Sequence, residues 1–191
     1  MTLKEKLVVN VLTVEGTIQR SENVYLHSVY NSEQDWFKWK DFYATGSFVS
    51  DEYLDEAESY SWRDFLVNVL DVKEKATREQ IEDFAEHYVK HKLNEKGYRV
   101  LSEHGEGYDY EVKKDGQVIL IDVSGRSGEI DDVGLTEKET KKALDYKENY
   151  WVVEVIRIPN SPEIYMVKDP THEINKIIIP KDRIKQGEKW D

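Results

Sequence analysis

Two acidic residues stand at positions where chemistry is expected. Asp109 and Asp122 flank Asp115-Gly116, a turn dipeptide set between two β-rich runs, Tyr108–Lys114 and Gln117–Gly125. Such a dipeptide is a strong hairpin signal. A two-residue loop fixes the register. Lys114 then faces Gln117, Val112 faces Ile119, Tyr110 faces Ile121 and Asp109 faces Asp122. Alternation gives one face to Tyr108, Tyr110, Val112, Ile119, Ile121 and Val123, and the other to Asp109, Glu111, Asp122 and Ser124. Directly opposed residues bring their Cβ atoms to roughly 4.5–5.5 Å. Two carboxylates at that distance repel unless a cation lies between them or one is protonated. Hard cations such as Mg²⁺ or Mn²⁺ are held by one or two carboxylates and keep several waters. An ion so placed can activate water and stabilise charge on a phosphate. The alternative from spacing alone is a pair of solvated acids on an exposed face.

The elements that would position this hairpin are legible on either side. Thr77 and Gln80 have capping-box spacing. Ile81, Phe84, Ala85, Tyr88, Val89 and Leu93 then draw one apolar helical stripe, ended by Gly97. Tyr98–Leu101 reads as a strand. Thr136 with Glu139 marks a second capping box and a helix to about Lys147. Tyr150–Ile158 is a nearly continuous apolar run, as in a central buried strand. Ile164–Val167 is a further strand. This order, helix, strand, hairpin, helix, strand, strand, makes residues 76–191 an α/β domain with a mixed sheet flanked by helices. Residues 1–75 lack long periodicity and hold Trp36, Trp39 and Trp62. They read as a small, mostly helical module of packed aromatics, with Ser61 capping a helix. Residues 71–76 (DVKEKA) read as a charged hinge.

The chain has 191 residues, no cysteine and a net charge of −12. Without cysteine there is neither a disulfide framework nor a thiolate metal site. The acidic balance argues against a simple nucleic-acid coat protein but leaves room for a nucleic-acid enzyme, whose metal site itself adds negative charge. With no signal peptide or long apolar run, a cytoplasmic location is expected.

The pattern GYDYEV, a turn, ILIDVSGRSG, then LTEKE, ENYWVVEV and YMVKDP resembles the C-terminal domain of the NO VEIN family over about residues 77–170. That domain is similar to the PD-(D/E)xK, restriction-endonuclease-like modules. The resemblance implies a nuclease-like site in which Asp109 and Asp122 are the motif acids and Glu86 is the acid supplied by the first helix, together holding Mg²⁺ or Mn²⁺. It implies DNA as the substrate and a setting in defence or restriction. Ser124 stands where the family pattern has its lysine, a group that positions the attacking water and offsets transition-state charge. Lys113 shares the face but lies roughly 13 Å from Asp109 along the strand. Lys138, Lys141 or Lys142 are candidates for a migrated lysine, and Arg126 is a poorer one because it stays charged. A degenerate fold that binds nucleic acid or protein without cleaving is the alternative. Segments VEGTIQRSENVYL, FVSDEYL and YSWRDFLVNVLDV resemble pieces of sacsin-like proteins. They imply an ATPase region in the same full-length protein, of which this chain would be a fragment.

The histidines are scattered; His87 and His91 are at i, i+4 but without an HExxH pattern, so a solvated helix face is expected. Tyr108, Tyr110, Tyr150 and Trp151 suit base stacking or, more simply, the core.

Overall fold

A computed structural model describes residues 6–43, 46–54, 61–173 and 178–190. The chain divides into two compact units, 1–77 and 78–191.

In the first unit, β1 (Asn10–Leu12) pairs antiparallel with β2 (Ile18–Arg20), and β3 (Val24–Tyr25) pairs parallel with β4 (Ser47–Phe48). Helix α1 (Trp62–Asn68) is seven residues long, and its N-cap Ser61 accepts a hydrogen bond from the Asp64 amide. Four single-turn 3-10 segments complete the described part. Residues in helical turns thus outnumber strand residues in the described part, and two short strand pairs accompany them. Only Trp62, Phe65, Leu66 and Val69 recur over two helical turns, so α1 forms there and the other described helical segments stop at one turn. The core gathers Val11, Val24, Leu26, Tyr30, Val49, Leu66 and Val72. The expected hinge is corrected. Val72 is buried, and Lys73 donates its amide to Val24 O and accepts from the Leu26 amide. Glu74 is buried beneath Arg63, which grips both its oxygens at 2.7 and 2.8 Å. Val72 and Glu74 are interior while Lys73 and Lys75 stay exposed, and one arginine with the Glu33 amide satisfies the buried acid.

In the second unit, α2 (Arg78–Glu95) precedes β5 (Arg99–Gly105), β6 (Tyr108–Lys114) and β7 (Gln117–Gly125). Then come β8 (Val133–Gly134), α3 (Glu137–Tyr146), β9 (Tyr150–Ile156) and β10 (Glu163–Lys168). The chain closes with β11 (Ile178–Ile179), α4 (Lys181–Lys185) and β12 (Glu188–Trp190). One six-stranded sheet has the order β12-β10-β9-β7-β6-β5. The β7–β9 pair is parallel and the other neighbours are antiparallel, so the fold is mixed α/β.

Local chemistry explains these elements. Asp115 and Gly116 both adopt positive φ, as the tight hairpin turn requires. Phe84, Ala85, Val89 and Leu93 are fully buried, and α2 packs on β7. Each large apolar side chain so buried is worth about 1.5–3 kcal/mol. Thr136 and Glu139 exchange both capping-box bonds at the start of α3. This helix carries the crossover that the parallel β7–β9 pairing demands. Every residue of β9 is buried. Leu120, Ala143, Tyr150, Val152, Ile156 and Val167 meet in one apolar cluster on the face that carries α3.

Candidate active-site cleft

The C-terminal end of β7, the first half of α2 and the start of α3 enclose a cleft of about 450 Å³. Its lining includes Glu86, Asp109, Asp122, Ser124, Arg126 and Glu139. A hairpin, a helix before it and a helix after it thus bring all four sequence-singled positions to one place. The close approach of α2 depends on Gly125. A Cβ there would stand 2.7 Å from both the Ala85 Cβ and the Ile81 carbonyl oxygen. Gly125→Ala is expected to force α2 off the strand and to cost about 1–3 kcal/mol, read as a lowered thermal midpoint. An unchanged midpoint would mean that helix and strand are not held this closely.

The hairpin register agrees with the expected pairs from Lys114↔Gln117 to Tyr110↔Ile121, and the ladder ends there. The opposition expected between Asp109 and Asp122 is not a ladder pair. Instead, the Asp109 carboxylate accepts the Val123 amide at 2.7 Å across the strands. One of its oxygens therefore stabilises the hairpin end.

Asp122 is the most buried of the acids that sequence singled out, with 8% of its surface exposed. Among the described residues it has no hydrogen bond or ion pair to its carboxylate. Burial pushes its pKa well above the usual carboxylate range, and Glu139, Asp109, Glu154 and Glu86 push it further the same way. Burial also raises Asp109, against the lowering effect of the Val123 amide. Glu86 is raised by burial first and by the Asp109 charge second. Three acids in one cleft thus lean toward their neutral forms, the electrostatic state a divalent cation would relieve. Glu86, His104 and Asp109 each present a ligand atom, and these atoms lie within 4.8 Å of one another.

No candidate lysine enters. Lys138 pairs with Glu106 at 3.2 Å, Lys142 stands over the Tyr108 and Tyr146 rings, and Lys138, Lys141, Lys142 and Lys113 are all outside the lining. The cations that line it among the described residues are Arg78 and Arg126. Arg78 pairs with Glu82 one helical turn on, at 2.8 Å. Arg126 donates Nε to Glu154, and its backbone is pinned to β9 through the Val155 carbonyl. Glu154 is 1% exposed, and its second oxygen is buried without a partner.

Sequence reasoning missed His104, Glu139 and Glu154. Glu139 serves as a cap through the Thr136 amide and lines the cleft as well. Its signal was the first turn of a helix that follows β7 closely. Glu154 was signalled by a lone charge inside YWVVEVI, which demands a buried partner. Tyr150 and Trp151 are buried, so they serve the core rather than base stacking. His87 and His91 keep i, i+4 partners, Asp83 and Glu95, along α2.

The fold and cleft together define a mixed α/β domain with a carboxylate-rich site on its sheet hairpin. Residues 81–167 match the family model for the C-terminal region of Protein NO VEIN. The matched span holds Glu86, His104, Asp109, Asp122, Ser124 and Glu139. No curated protein and no solved structure matches the chain. Among the described residues, no helix is long and apolar enough to cross a membrane.

Proposed function

We propose that the second unit is a nuclease-like module, related to the PD-(D/E)xK enzymes, that holds Mg²⁺ or Mn²⁺ and hydrolyses phosphodiester bonds in DNA. The observation that carries this reading is Asp122: a carboxylate nine-tenths buried, without a partner among the described residues, lining the cleft shared with Glu86 and Asp109. Burying a lone charge costs several kcal/mol unless a cation or a proton compensates it. Asp109, Asp122 and Glu86 would hold the ion. When bound, it supplies an activated water and charge stabilisation at the phosphate. Arg126, locked by Glu154, presents a planar cation suited to a phosphate oxygen. Defence or restriction is the setting that fits such a module. The sacsin-like segments in residues 14–26, 48–54 and 60–72 support an ATPase region as its partner within a longer protein.

A second reading rests on Ser124. It lines the cleft where the family pattern has lysine, and arginines are the lining cations. A module that binds metal and nucleic acid without cutting fits those facts.

Thermal unfolding with and without Mg²⁺ or Mn²⁺, alongside plasmid cleavage, separates the two. A ligand of the native state raises the midpoint, by about 2.7 kcal/mol at a hundredfold excess over Kd. The expected result is a metal-dependent rise in the wild type, its loss in Asp109→Ala, and cleavage that Ser124→Lys increases at least tenfold. The same rise with no cleavage in either protein selects the binding module. No metal response in the wild type overturns the metal site and both readings with it.

A further inference from the structure

We infer that His104, which lines the neighbouring cleft with Glu86, joins Glu86 and Asp109 as a metal ligand, and that the site is therefore built for a first-row transition cation rather than for Mg²⁺. The inference rests on the metal-holding reading above and extends it to a residue that neither the motif acids nor the spacing of the histidines points to. Three observations carry it.

First, the imidazole and two carboxylates converge. A ring nitrogen of His104, one Glu86 oxygen and one Asp109 oxygen lie within 4.8 Å of one another. His104 Nδ1 stands 3.5 Å from Glu86 Oε2, a long ion pair on a largely exposed ring that a cation between the two groups could replace. Second, the main chain is set to deliver that ring. His104 adopts φ +54°, a left-handed conformation that is strained for a non-glycine residue. It sits at the end of β5, one tight turn before Asp109, and the pairing of Gly105 with Tyr108 closes that turn. Third, the cleft that Glu86 and Asp109 line also contains Asp122, a buried residue whose carboxylate has no partner among the described residues. The acids alone would be a patch of repulsion. The buried unpartnered carboxylate is an independent sign that positive charge belongs there.

Donor chemistry decides which cation. Carboxylates and waters suit Mg²⁺, which demands near-octahedral oxygen coordination. A neutral imidazole nitrogen adds little for Mg²⁺ but strengthens binding progressively along the first transition row. One nitrogen beside the carboxylates of Glu86, Asp109 and Asp122 would leave open positions for water and a phosphate oxygen, and Mn²⁺ accepts both donor types. His104 is largely exposed, with 67% of its side chain accessible, so it would complete the ligand set from the solvent side.

The test is titration of the full chain with Mn²⁺ and, separately, Mg²⁺ by calorimetry, in the wild type, His104→Gln and Asp109→Ala. Pulsed electron paramagnetic resonance on the Mn²⁺-loaded protein is run beside it. The expected result is Mn²⁺ binding at least tenfold tighter than Mg²⁺. His104→Gln should weaken Mn²⁺ about tenfold, leave Mg²⁺ within twofold, and remove the ¹⁴N imidazole coupling from the Mn²⁺ spectrum. Asp109→Ala should lose both ions. If the wild type binds both metals and His104→Gln changes neither, His104 is only a surface ion-pair partner of Glu86; the inference falls while the metal-holding reading stands. It falls in the same way if both ions weaken equally and no nitrogen coupling is seen. If the wild type binds neither ion, both fall together.

Discussion

Arg126→Met is expected to lower the stability of the second unit by about 3–5 kcal/mol at neutral pH, because it strands Glu154. That acid is 1% exposed, and Arg126 is the group that satisfies it; its other oxygen already lacks a partner. For a unit of this size the loss corresponds to a thermal midpoint on the order of 10–20 °C lower. The pH dependence follows from the acid left behind. Burial already raises the Glu154 pKa, and Arg126 holds it back. Without the arginine it rises further. A carboxyl raised in the folded state favours folding below its unfolded pKa and loses that advantage as pH climbs through the folded value. The penalty of Arg126→Met should therefore be small near pH 4 and grow toward pH 8. Replacing Glu154 by Met in the same chain should recover most of the loss, since a buried pair exchanged for apolar side chains is often neutral. Thermal unfolding of the single and double variants at both pH values checks this. A penalty equal at pH 4 and pH 8 would show that Arg126 acts by packing rather than by charge.

Asp122→Asn is expected to move stability the other way. In metal-free buffer at neutral pH it should raise the midpoint. The wild type carries there an unpartnered carboxylate whose pKa burial and four neighbouring acids push well up. The gain is read as a higher midpoint for the variant. It should shrink as pH falls and vanish below the unfolded pKa, where the wild-type acid is protonated in both folded and unfolded chains. Adding Mn²⁺ should reverse the ranking, because the wild type gains a ligand that the amide holds poorly. If Asp122→Asn destabilises the metal-free protein at pH 7, the carboxylate has a stabilising partner and does not await a cation.

Asp122 and Glu154 lie on neighbouring parallel strands, where Ser124 pairs with Glu154 and Asp122 with Val152. They divide the work of the cleft. The Arg126–Glu154 pair supplies a fixed cation from a buried site, whereas Asp122 supplies an unsatisfied charge. Stability surrendered at Asp122 and at the strained His104 backbone is what a binding site of this kind is expected to cost. Serine at position 124 keeps the pocket open and polar but removes the mobile cation a lysine would give. The lining cations among the described residues are then arginines, which stay charged and do not transfer protons.

Local sequence determined the parts of this protein that depend on one turn or one repeat. Asp115-Gly116 set the hairpin and its register, because few residue pairs tolerate two successive positive φ values. The Ile81–Leu93 stripe set the buried face of α2, and Thr136 with Glu139 set where α3 begins. YWVVEVI set a strand buried on both faces, and its one acid announced a buried partner without saying which. Tertiary structure decided the rest. It decided that DVKEKA packs rather than hinges, through Arg63 reaching Glu74. It decided that His104 joins Glu86 and Asp109, that Asp109 bonds the Val123 amide instead of confronting Asp122, and that Lys138 and Lys142 point to other partners. The physical reason is range. Register and helix phase follow from steric rules within a few residues. The meeting of side chains from α2, β5, β7 and α3 depends on how closely helices dock on the sheet, and Gly125 permits an approach that no local pattern records.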